Sequence, residues 1–146
     1  MSRARAPSVR PAAQAVRLPL AGRRGAAAEA RAVTARFLAD VPDRAVVADA
    51  VLLVSELVGN AQRHTAGPGA LLLVRTDGAL RIEVSDPSRR PPMPRAPYGD
   101  DGSGGLGLFL VNRLSRRWGW RPLGPGKAVW CELRMPAQRC PPGPGG

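Results

Sequence analysis

The sequence predicts an α+β fold, a two-layer α/β sandwich with a mixed or antiparallel sheet and helices on one face. Three observations predict it. Residues 25–40 and 44–65 carry apolar side chains at helical spacing. Residues 70–77 and 79–86 are two strand-like runs flanking Asp77-Gly78, a strong hairpin signal. The resulting order is strand, two helices, two strands, loop, helix, two strands, which differs from the strict strand–helix alternation of a parallel sheet.

Each element has its own warrant. Residues 15–20, Ala-Val-Arg-Leu-Pro-Leu, form a short strand that Pro19 confines to a sheet edge. In residues 25–40, Ala26, Ala30, Val33 and Phe37 make one helical stripe, and Pro42 with Asp43 punctuates its end. The helix over 44–65 is the strongest: Val47, Ala50, Val54, Leu57, Val58 and Ala61 share one side, and Asp49, Glu56, Asn60 and Arg63 gather opposite. Gly67, Pro68 and Gly69 terminate it. Along 79–86, Leu80, Ile82 and Val84 alternate with Arg81, Glu83 and Ser85, so Asp86 ends the strand in phase with the apolar set. Residues 87–104 are a long Pro/Gly-rich loop, which reads as a functional lid or as simple disorder. Leu106, Phe109, Leu110, Val111 and Leu114 mark a helix over 106–117, and two last strands over 117–121 and 128–135 flank a turn from Pro122 to Lys127.

A chain of 146 residues fits one domain with a real core. The divisions expected are a disordered basic arm over 1–14, a folded domain over 15–136 with its lid at about 88–104, and a Pro/Gly tail over 137–146. The net charge of +11 resembles that of a nucleic-acid binder, but its distribution argues otherwise. Residues 1–28 hold six Arg and no acid, and 136–146 one Arg and no acid, which leaves 15 basic against 11 acidic groups between them. The folded part is therefore mildly basic, and the excess sits on an arm that reads as a solvated terminus, or as one that sticks to any polyanion. With no aromatic stacking platform and no reading helix, specific nucleic-acid binding is not expected. Cys131 lies in a strand and reads as a buried, inert thiol; Cys140 lies in the tail, and the two supply neither a disulfide framework nor metal-ligand spacing. No run reaches the roughly 18 apolar residues that span a bilayer. Arg17, Arg23 and Arg24 interrupt any signal-peptide core, so a cytoplasmic location is expected.

Three constellations carry chemistry. Glu56, Asn60 and His64 recur every four residues on the second helix. By itself that pattern reads as a solvated helix face. Asn is a poor mid-helix residue, however, and Asn60 follows Gly59, which points to a role worth a local cost. Its carboxamide oxygen suits Mg²⁺, which takes few protein ligands. Glu56, one turn away, can orient a water or take a hydroxyl proton, and His64 is either a nucleotide neighbour or a helix-end cap. Asp86 reads as a strand-end turn former or, at the mouth of the core, as an acceptor for an exocyclic amine such as adenine N6. Gly102, Gly104, Gly105 and Gly107 open the third helix, where free N–H groups favour anions; the alternative is a merely flexible loop. No Gly-Lys-Ser/Thr follows and no strand precedes, which excludes Walker and Rossmann loops.

Together these residues resemble the GHKL (histidine kinase/HSP90-like) ATPase domain with its Bergerat-type pocket, and within it the anti-sigma-factor serine/threonine protein kinase group. Leu53-Val54-Ser55-Glu56-Leu57-Val58-x-Asn60-Ala61-x-Arg63-His64 is similar to the group's N-box. Val84-Ser85-Asp86-Pro87-Ser88 is similar to its adenine-side motif, and Gly105-Leu106-Gly107-Leu108 to its glycine box. Arg117-Trp118-Gly119-Trp120 and Gly126-Lys127-x-Val129-Trp130 look like its last strands, so the likeness covers about residues 20–135. Pro87-Ser88-Arg89 departs from the wider superfamily's Asp-x-Gly-x-Gly, and Ala128 stands where the group often has Thr.

The resemblance implies ATP with Mg²⁺. Asn60 would hold the metal, Glu56 would act as catalytic base, and Asp86 would bind adenine. Arg63, His64, Gly104, Gly105, Leu106, Gly107 and Leu108 would line the nucleotide site. The activity implied is transfer of the γ-phosphate to a serine of a STAS-type anti-sigma-factor antagonist, with a sigma factor as a further partner and homodimerisation possible by analogy. The alternative is a nucleotide-dependent regulator that sequesters sigma factor or antagonist without kinase turnover.

Overall fold

The computed structural model describes residues 14–92 and 107–136. The basic arm before Gln14, the stretch 93–106 with Gly102, Gly104, Gly105 and Leu106, and the tail with Cys140 lie outside the described residues.

The elements are β1 (Gln14–Pro19), α1 (Ala26–Phe37), α2 (Arg44–His64), β2 (Ala70–Thr76), β3 (Ala79–Asp86), α3 (Gly107–Leu114), β4 (Arg117–Leu123) and β5 (Gly126–Arg134). The strands form one antiparallel sheet in the order β1-β2-β3-β5-β4. Of the antiparallel or mixed alternatives, the sheet is antiparallel throughout. Pro19 and Pro122 both sit on edge strands, where a missing N–H costs no ladder bond.

Local chemistry starts and stops these elements. Asp43 caps α2: its Oδ1 accepts from the backbone N–H of Ala45 at 3.1 Å and of Val46 at 3.3 Å. Thr65 closes the other end, its Oγ1 donating to the Ala61 carbonyl and accepting from Gly67 N–H. The β2–β3 turn is two residues long, with Thr76 paired to Ala79 and Gly78 at φ +84°, a left-handed value that favours glycine.

Element boundaries differ from those expected by one to three residues, α1 for instance ending at Phe37 rather than at 40, and three of the differences have a local reason. β1 starts one residue early, where Gln14 pairs with Arg75. α3 stops at Leu114 rather than 117, because Ser115 turns both its N–H and its hydroxyl back onto the Val111 carbonyl and Arg117 enters β4. The expected turn from Pro122 to Lys127 shrinks to Gly124-Pro125, with Gly124 at φ +53° and Leu123 paired to Gly126. The third difference matters most, because it draws Lys127 into β5 opposite Asp86.

The core lies between the helices and one sheet face. Val47, Ala50, Leu53, Val54, Leu57, Val58 and Ala61 of α2 pack on Leu71, Leu73, Leu80, Ile82, Val84, Val129, Cys131 and Leu133. This stripe also explains a departure from the expectation that no segment could span a bilayer. By length and composition alone, α2 passes that test: it has 21 residues, and its most apolar 18-residue stretch has a mean hydropathy of 1.4. Its apolar content is the stripe that fills the sandwich, while Asp49 and Glu56 interrupt the other side. Burial pushes the Cys131 thiol up to about 12; the Glu132 charge pushes the same way and Arg81 opposes it.

Candidate functional site

The site lies where the C-terminal turns of α2 cover the ends of β3 and β5. A cavity of about 220 Å³ opens there. That is below the roughly 300–1,000 Å³ that encloses a whole drug-sized ligand, and it suits a single heterocyclic ring. Leu57 and Ala61 of α2 form one wall; Val84 of β3 and Val129 of β5 form the other. Asn60, His64 and Thr65 rim it from the helix, and Arg90, Pro91 and Pro92 rim it from the loop after β3.

Two charged side chains close the inner end. Asp86 and Lys127 are direct cross-strand partners on the helix side of the sheet, in phase with Val84 and Val129. Their side chains keep only 3% and 5% of their accessible surface. Lys127 Nζ donates to Asp86 Oδ1 at 2.9 Å and to the Ser88 carbonyl at 3.1 Å. Asp86 Oδ1 also accepts from the Ser88 backbone N–H at 2.8 Å, a turn formed by the carboxylate itself. The Asp86 side chain thus holds the bend through Pro87 and Ser88. Arg89 then ties the start of the loop to the β4–β5 turn, donating from Nη2 to the Gly124 carbonyl at 2.6 Å and from Nε to the Pro125 carbonyl at 3.3 Å. Gly126 makes the crossing possible, since a Cβ there would sit 1.9 Å from the Asp86 carbonyl oxygen.

The structure brings some of the sequence-selected residues together and leaves others apart. Asn60, His64 and Asp86 meet on the cavity. Glu56 and Arg63 are not among its lining residues. Glu56 is half-buried one turn before Asn60, with no partner for its carboxylate among the described residues. Arg63 is exposed and folds back over Gly59, where a Cβ would stand 3.1 Å from its Nη1. Gly107 begins α3 and Leu108 is buried in its first turn. Sequence reasoning missed Lys127, because it was assigned to a turn; the available signal was its place between Gly126 and Val129 at a strand start.

The donor set bears on metal binding. Among the described residues no group of three or more His, Cys, Asp or Glu side chains converges as a metal cage. One carboxamide at the cavity rim fits instead a hard cation that arrives with phosphates and keeps most of its waters, as Mg²⁺ does.

A family model for the histidine kinase-like ATPase domain matches residues 20–132. The chain belongs to that family. Over 62 residues it is also 39% identical to an uncharacterized protein of Streptomyces coelicolor, a match covering 42% of this chain and 59% of that protein. The α+β sandwich with its antiparallel sheet is the architecture expected of such a domain.

Proposed function

We propose that the chain binds ATP with Mg²⁺ and transfers the γ-phosphate to a serine of a STAS-type anti-sigma-factor antagonist. The observation that supports this most is the convergence of Asn60 and Asp86 on one ring-sized, apolar-walled cavity.

In this reading the base enters between Leu57 and Ala61 on one side and Val84 and Val129 on the other, and Asp86 accepts from its exocyclic amine. The sugar and phosphates would run along α2 toward the N-terminus of α3, which begins at Gly107 and whose first-turn backbone N–H groups would favour anions. Asn60 holds Mg²⁺ through its carboxamide oxygen. Mg²⁺ supplies charge neutralisation on the phosphoryl group when bound. The serine Oγ attacks the γ-phosphorus, the bond to the β–γ bridging oxygen breaks, Glu56 takes the hydroxyl proton, and ADP leaves. Phosphoryl transfer asks mainly for positioning and charge stabilisation, so few protein groups suffice.

A second reading rests on Glu56 lying outside the cavity lining. The same nucleotide pocket would then control sequestration of a sigma factor or antagonist without useful turnover.

Calorimetry with ATP in the presence and absence of Mg²⁺ tests the pocket. Asn60→Ala is expected to weaken MgATP binding by about tenfold or more, as loss of one charge-assisted contact would, and to leave Mg²⁺-free ATP binding nearly unchanged. Equal binding by wild type and variant in both conditions would remove Asn60 from the site. Radiolabel transfer to a purified STAS-type partner separates the two readings: loss of transfer in Glu56→Gln with intact ATP binding supports the kinase, and no transfer by the wild type supports sequestration.

A further inference from the structure

Lys127 stands at the closed end of the cavity with a proton to spare. Its ammonium has three donors, and the described residues accept two, at Asp86 Oδ1 and at the Ser88 carbonyl. Asp86 is complementary: Oδ1 takes both of the carboxylate's hydrogen bonds, and Oδ2 has no partner among the described residues. Asp86 lines the cavity, and no fully buried side-chain polar atom among the described residues lacks a partner, so Oδ2 is not sealed inside the fold. An acceptor and a donor with capacity beyond their printed bonds thus lie side by side on a cavity walled by Leu57, Ala61, Val84 and Val129.

We propose that Lys127 is a specificity-determining residue that reads the base together with Asp86: the carboxylate accepts from the 6-amino group and the ammonium donates to ring nitrogen N1. The inference rests on the ATP reading above and deepens it. An edge carrying an amino donor beside an unprotonated ring nitrogen matches the pair. Hypoxanthine and guanine reverse both positions, setting a carbonyl oxygen against Asp86 and an N–H against Lys127. Each reversal leaves a desolvated charge facing its own kind, which rejects a ligand more strongly than a missing contact does. The pair is held by the fold itself, since β3–β5 register sets Asp86 against Lys127 and the Ser88 turn fixes both, so little reorganisation accompanies binding.

The test is calorimetric titration of the full-length chain with ATP, 1-deaza-ATP (N1 replaced by C–H) and ITP, each with Mg²⁺. The wild type is expected to bind 1-deaza-ATP on the order of ten- to a hundredfold more weakly than ATP, the worth of one hydrogen bond from a charged donor, and ITP more weakly still. In Lys127→Met the ratio between ATP and 1-deaza-ATP should fall to about one, while Lys127→Gln, which keeps an N–H donor, should retain part of it. A ratio taken within one protein is insensitive to lost stability, and the wild-type comparison needs no variant at all. Equal wild-type affinities for ATP and 1-deaza-ATP would overturn the role of Lys127 and leave the ATP site standing, as would an unchanged ratio in Lys127→Met. No binding of ATP by the wild type would overturn both readings.

Discussion

Two clusters of carboxylates and cations sit on opposite faces of the same strands, and they differ in almost everything but residue type. On the helix side, Asp86 and Lys127 form one pair, nearly withdrawn from water. On the open side, Glu83 and Glu132 are held by Arg81, Arg117 and Arg121, and Arg81 also lies 4.4 Å from the centroid of the Trp130 ring. There the arginines reach solvent, with Arg117 67% exposed. Strand alternation alone separates the clusters: Glu83 and Asp86 are three residues apart and face opposite ways. The comparison teaches that a charged pair acquires meaning from its solvation. Glu83 is itself buried, with 7% of its side chain exposed, but its arginine partners stay in water, and a network solvated on one side trades water for protein contacts at little net gain. A buried pair recovers its desolvation cost only with good geometry and is weak evidence for stability. A pair at the end of an apolar cavity is better explained by what it recognises.

The largest expected effect breaks the buried pair. Removing one partner, as in Lys127→Met, leaves Asp86 uncompensated and should cost about 3–5 kcal/mol of unfolding free energy. Replacing both, Asp86→Leu with Lys127→Met, should recover most of that loss while abolishing nucleotide binding, a coupling that a double-mutant cycle of urea denaturation measures. A double variant that still bound ATP would collapse the distinction between the two clusters. Next in size is Gly126→Ala. The added methyl would meet backbone at 1.9 Å, so β3 and β5 must separate at the level of the pair. A loss of about 1–3 kcal/mol is expected, together with weaker ATP binding; a neutral substitution would mean that the strand ends are free to part.

Most of the fold was legible in the sequence, because periodicity and punctuation are local. The α2 stripe, the Asp77-Gly78 hairpin and the edge placement of Pro19 all follow from residues close in the chain. The site was legible only in part. Asn60 and Asp86 declared themselves by residue type at awkward positions. Lys127 did not, because its meaning lies in a cross-strand partner 41 residues away. Reading Pro122 as the start of a turn hid the register that joins them, since an edge strand tolerates a proline that a central strand would reject. The Ser88 turn, by contrast, was legible in Asp86 as a strand-end turn former, and its carboxylate does accept from the Ser88 N–H.

A second contrast concerns pH. Cys131 shares β5 with Lys127, but its thiol is shielded by the core and pushed up to about 12 from an ordinary 9.0. The native state keeps the proton that the unfolded chain releases, so this contribution to stability is whole below pH 9.0 and declines as pH rises through about 12. Stability should therefore fall above pH 9 with a slope of up to about 1.4 kcal/mol per pH unit, and Cys131→Ala should flatten that limb in denaturation curves taken across the range. The same burial should leave Cys131 unalkylated in the native chain by peptide mapping; ready modification would show that the sheet opens on the labelling timescale.

The smallest effect belongs to the open face. Arg117 grips Glu132 through two bonds, at 2.7 and 3.0 Å. The Arg117 hydrogen bond holds the Glu132 carboxyl below its ordinary value; burial opposes it, and the charges of Arg117, Arg81 and Arg116 add to the lowering. The sign makes this contribution present above pH 4.5 and lost as pH falls further. Yet the guanidinium is solvated, and a solvated pair is screened by salt. Arg117→Ala should shift the melting temperature less than Gly126→Ala does, and the shift should shrink in about 1 M salt. Nucleotide affinity should stay at the wild-type value, because the sheet separates this face from the cavity. A large, salt-insensitive loss would instead show that the open face is covered in solution, and the contrast between the two clusters would then be one of partner rather than of solvent.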